Sequence, residues 1–136
     1  MSSKMKDAEH LAAIRTAVTG LLFPSETDRP IVPFIGKKVD QVSKEAIISS
    51  FGIKKTEAIE RVEFEDFFER LTAEKDWFGK REKERAERFR ILKRELQESL
   101  SSLEVYRVGR VKIAIYVAGI TSDGRLAGVR TEAVET

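Results

Sequence analysis

Several absences narrow the field before any motif is considered. The 136-residue chain contains no cysteine, which excludes disulfide staples, thiolate zinc sites and a cysteine nucleophile. It contains no asparagine, so it has no acceptor of the Asn-x-Ser/Thr type. It has one histidine, His10; any histidine-based triad must use it, and a multi-histidine metal site is impossible. No apolar run approaches the ~20 residues a membrane helix needs, and Met1–Asp7 lacks the apolar core of a secretory signal. The expectations are therefore no membrane partner and a cytoplasmic location. Gly-x-x-x-x-Gly-Lys-Ser/Thr, Gly-x-Gly-x-x-Gly and Gly-x-Ser-x-Gly are all missing. Neither charge sign dominates either: 25 basic residues face 23 acidic ones, formal net +2, so composition alone argues for neither nucleic acid nor an anionic surface.

What is present is one domain's worth of sequence, residues 1–136, with 41% hydrophobic and 35% charged residues. Leu11, Ile14, Val18 and Leu21 share one face of a helix ending near Gly20. Phe23 to Pro30 carries two prolines and turn formers and reads as a loop. Ile31 to Ile35 reads as a strand that Pro33 confines to a sheet edge. Ser43 is placed to cap a helix over 44–51, with Ala46, Ile47 and Phe51 inward and Gly52 ending it. Residues 58–64 read as a strand. Phe64, Phe67, Phe68 and Leu71 make a short amphipathic helix, and Ala86, Phe89, Leu92, Leu96 and Leu100 form the stripe of a long one from about Lys80. Glu84 and Arg88 stand at the spacing of an i,i+4 ion pair. Residues 105–108, 111–117 and 126–134 read as strands, with odd positions from Val111 to Val117 β-branched on one face and Thr121-Ser-Asp-Gly124 as a hairpin turn. The order α, β, α, β, α, α, β, β, β predicts an α+β or αβα fold.

The chemistry-bearing side chains have plain structural readings. His10 lies near the chain start, where a general base is poorly oriented. Glu63, Glu65, Asp66 and Glu69 suit the solvated face of the Phe64/Phe67/Phe68 helix. Arg85, Arg88 and Lys93 are diluted by Glu82, Glu84 and Glu87 and have few aromatics among them, so direct nucleic-acid binding is not expected. Two features exceed a structural account. Asp76-Trp77-Phe78-Gly79 places the only tryptophan in a break between helices, as core or as a binding anchor. At the carboxy terminus, Glu135 and Thr136 offer oxygens of the kind that suit Mg²⁺.

These segments, in order, resemble the nuclease A inhibitor-like proteins from about Ala13 to Thr136. The resemblance rests on Gly20-Leu-Leu-Phe-Pro-Ser-Glu26, Phe67-Phe68, Asp76-Trp77, Val105-Tyr-Arg-Val-Gly109, Tyr116-Val-Ala-Gly119, Leu126-Ala-Gly128 and the ending Val134-Glu135-Thr136. It implies an α+β, three-layer αβα sandwich whose mostly antiparallel sheet ends in a C-terminal β-hairpin. It implies a non-catalytic inhibitor that plugs the cleft of a Mg²⁺-dependent, sugar-non-specific endonuclease. The implied partner-binding residues are Glu26, Asp76, Trp77, Glu135 and Thr136. It further implies no cofactor and no metal of its own, with Thr136 reaching the metal of the partner nuclease in the complex. The protein is expected to be a monomer when free. The runner-up expectation is an adaptor or nucleic-acid-binding domain of the same fold with a different partner.

Overall fold

The carboxy-terminal third builds the frame. The computed structural model describes residues 3–135. Its elements run α1 (Ser3–Val18), β1 (Leu22–Phe23), β2 (Arg29–Pro30), β3 (Val32–Lys38), α2 (Lys44–Phe51), β4 (Ile59–Val62), α3 (Phe64–Thr72), α4 (Lys80–Ser99), β5 (Ser101–Val108), β6 (Lys112–Ile120) and β7 (Arg125–Val134). The last three strands pair in succession, and the five-stranded sheet has the order β3-β7-β6-β5-β4 with every pair antiparallel. Thr121 and Gly124 close the predicted β6–β7 turn, with Gly124 at φ +87°.

Side chains alternate across the pleat, so the central strands feed two cores. Val105, Ile113, Ile115, Val117, Val129 and Ala133 pack with Ile14 and Val18 of α1, Phe64, Phe67 and Phe68 of α3, and Phe89, Leu92 and Leu96 of α4. On the other face Tyr106, Val108, Tyr116, Ala118 and Leu126 pack with Ile47 of α2, and Phe34 and Phe51 join them. Three helices, a sheet and one helix give the αβα sandwich. The stripes of α3 and α4 fall where periodicity put them, and Ser43 Oγ accepts the Ala46 amide at 3.1 Å. Pro33 does lie in an edge strand. An edge strand tolerates the missing N–H, because one side of it has no neighbouring strand to bond.

Several local expectations change. Residues 23–30 are not all loop, because Leu22–Phe23 pairs with Arg29–Pro30 as a two-residue ribbon. Helix α1 stops at Val18, and Leu21 enters the core from beyond Gly20, whose φ is +72°. Val111 precedes β6 and is 53% exposed. The Glu84–Arg88 pair is replaced by a tertiary contact. Arg88 Nη2 donates to the carbonyls of Ala17 (3.1 Å) and Thr19 (2.6 Å), which α1 leaves without helical partners.

Candidate partner-binding face

Phe23 is the anchor from which this face is built. It is buried and stacks on Phe67 at 5.8 Å, nearly parallel. From there the chain crosses residues 24–28 and returns through β2. Two contacts fix this excursion to the end of β7. Ser25 Oγ donates to the Thr27 carbonyl (2.7 Å) and accepts the Val134 amide (3.3 Å). Thr131 Oγ1 donates to the Pro30 carbonyl at 2.9 Å. Glu26 is therefore carried on a short, braced segment beside the last residues of the sheet.

Glu135 is held at the same place. Its amide donates to the Val111 carbonyl (2.9 Å), and its carboxylate accepts from Arg107 Nη2 at 2.6 Å. Arg107 also faces Glu60 at 4.0 Å. Between the 24–28 segment, α3 and the ends of β4, β5 and β7 lies a cleft of about 770 Å³. Phe23, Phe67, Val62 and Leu71 form its apolar wall. Around it stand Glu26, Glu60, Asp66 and Glu135, four carboxylates against the guanidiniums of Arg70 and Arg107. The molecule is net positive, yet this cleft is locally acidic.

Asp76 and Trp77 are exposed on the segment between α3 and α4. Trp77 is 73% exposed and meets only the edge of Phe78 among the ring contacts described, at 4.8 Å. That decides against the core reading of the tryptophan. This segment runs from Leu71, at the cleft, to Arg81, which lines a neighbouring groove with Leu22 and Asp28. Residues 23–28 border the same two depressions, which Leu71 and Arg81 touch from either end of that segment. The structure brings Glu26 and Glu135 to one cleft, whereas Asp76 and Trp77 are not among the residues lining it and stand exposed between α3 and α4. Thr136 lies outside the described residues.

The competing candidates are occupied elsewhere. Asp7, three residues before His10, is committed to the β6–β7 turn, where its Oδ1 accepts from both the amide and the hydroxyl of Ser122. Glu63 pairs with Arg61 and Glu65 with Lys93. Among the described residues, no three acidic or histidine side chains converge as a metal site. With Arg88 capping α1 and Lys93 held by Glu65, two of the three α4 cations that could have met nucleic acid are committed. Sequence reasoning missed Glu60, Asp66, Arg70 and Arg107 as cleft residues. Arg107 left one signal, as a charge inside the otherwise apolar run Val105–Val108.

A braced acidic loop, an open cleft and a bare tryptophan have the make-up of a protein-recognition surface, because exposed Trp supplies apolar contact area at low entropic cost. The chain belongs to the nuclease A inhibitor-like family: the model of the nuclease A inhibitor-like protein matches residues 8–136. That membership supports a nuclease-inhibitor role in general. Comparison with curated proteins gives no match.

Proposed function

We propose that this protein inhibits a Mg²⁺-dependent, sugar-non-specific endonuclease by occupying its active-site cleft, without turnover, and so protects the cell that makes it. The observation that carries the reading is the joint placement of Glu26 and Glu135 at one acid-lined cleft, together with an exposed Trp77 between α3 and α4, in a chain of this family. A nuclease cleft is built to hold phosphate beside a metal ion, with cationic side chains around it. Carboxylates on a braced loop imitate that phosphate charge and meet Arg or Lys through charge-assisted hydrogen bonds. Trp77 supplies the apolar anchor. Thr136 is the residue assigned to the metal of the partner nuclease.

The test is a titration into a Mg²⁺-dependent non-specific nuclease, with DNA well below saturation. Stoichiometric loss of cleavage is the expected result. Glu26→Ala, Trp77→Ala and deletion of Thr136 should each weaken inhibition by roughly 30-fold, the equivalent of about 2 kcal/mol at an interface anchor. Circular dichroism should show all three folded. Unchanged affinity in all three variants would sink this interface.

A further inference from the structure

A second cavity lies across the 23–30 ribbon from the acidic cleft, on the α2 side of the sheet. Its volume is about 250 Å³. That is below the usual range of cofactor and drug-sized sites and suits a small ion or one end of a larger molecule. Its character is opposite to that of the cleft. Arg29 from β2 and Arg130 from β7 line it together, beside the ring of Tyr116. The strand register explains the grouping: Arg130 pairs with Val32 of β3 on one side and with Tyr116 of β6 on the other, so the three stand in one row across the sheet. Helix α2 covers this face only in part. Phe51 reaches Tyr116, with centroids 4.4 Å apart, while Arg130 and Val32 remain exposed.

The guanidiniums keep donors to spare: Arg130 bonds the Tyr116 hydroxyl, which uses only part of its fork. Among the described residues neither Arg29 nor Arg130 forms an ion pair. The Nε of Arg29 is shut off from solvent and has no acceptor. A buried N–H of a charged group without a partner is costly, and such groups are normally satisfied. Glu132 is the one carboxylate on the wall, and among the ion pairs of the described residues none joins it to either arginine. Burial holds the Tyr116 phenol above its ordinary value, with Arg130 acting in the opposite direction. At neutral pH it is therefore a hydroxyl that can donate.

We propose that Arg29, Arg130 and Tyr116 form a binding site for a phosphate group. Two guanidiniums and a phenol lining one cavity supply several donors and two positive charges, which matches a phosphate dianion better than a single carboxylate. Pro30 and Val32 leave an apolar shoulder for the remainder of a phosphomonoester. Free inorganic phosphate and the 5′-phosphate of a mononucleotide share this chemistry.

The test is calorimetric titration and thermal shift of the whole chain with inorganic phosphate and with 5′-AMP. Sodium chloride at matched ionic strength is the control. Phosphate should bind saturably and raise the melting temperature beyond the chloride control. Arg29→Gln and Arg130→Gln should each bind roughly tenfold more weakly. Arg130 is exposed, so its variant should melt like the parent in chloride and separates lost binding from lost folding. Tighter binding of 5′-AMP assigns the site to a nucleotide ester, and equal binding assigns it to the free ion. An equal response to chloride, or binding that survives in the double variant, overturns the proposal.

Discussion

Arg88 shows how one side chain can be misassigned by local spacing. On α4 it is four residues from Glu84, but its guanidinium bonds the end of α1, 69 and 71 positions away in sequence. A surface i,i+4 pair contributes about 0.3–0.5 kcal/mol, whereas hydrogen bonds from a charged donor contribute about 1.5–3 kcal/mol. Arg88→Ala should therefore destabilise the protein by about 1–2 kcal/mol in urea unfolding, and Glu84→Ala by much less. Gly128 is a second such residue. A Cβ there would lie 1.9 Å from the Val117 carbonyl oxygen, backbone that cannot move aside. Gly128→Ala should cost about 3 kcal/mol, read as a lower denaturation midpoint. The Leu126-Ala-Gly128 motif could be seen in the sequence; the carbonyl that demands its glycine could not.

At the scale of elements, the helices and the three C-terminal strands were legible because each carries its own period. The stripe from Ala86 to Leu100 and the alternation from Ile113 to Val117 need no knowledge of what they pack against. The ribbon of β1 and β2 was not legible, since two residues carry no period and their pairing depends on the return from 24–28. That ribbon and its staple to β7 set the position of Glu26. Ser25→Ala removes the hydroxyl that bonds both Thr27 and Val134. It should lower global stability by at most about 1 kcal/mol and speed hydrogen exchange at the Val134 amide. It should also weaken nuclease inhibition, although Ser25 itself need not touch the partner.

The whole molecule adds a pH limit that no element has alone. Tyr106 and Tyr116 pair directly across the centre of the sheet. Burial raises the pKa of both, and for Tyr106 the Glu104 carboxylate, which accepts its hydroxyl at 2.6 Å, raises it further. The folded chain keeps these protons at a pH where the unfolded chain, with tyrosines near 10, gives them up. The stabilisation is complete below about pH 10 and is lost as pH rises beyond it. Urea midpoints measured from pH 8 to 11 should fall over the upper part of that range, and Tyr106→Phe should flatten the fall. Charge follows the same logic of scale. A net charge of +2 predicts poor attraction to a basic nuclease, but the sum hides the segregation of Glu26, Glu60, Asp66 and Glu135 at the cleft from Arg29 and Arg130 at the opposite face. The amino-acid order alone determined the helices, the C-terminal strands, the capping serine, the edge proline and the family resemblance, because all of these depend on residues near one another in the chain. The tertiary structure decided that Trp77 is bare, that Arg88 and Lys93 are spent on internal contacts, and that carboxylates from four separate segments share one cleft. Those outcomes depend on distances between residues far apart in sequence, and only the packing of the helices on the sheet fixes them.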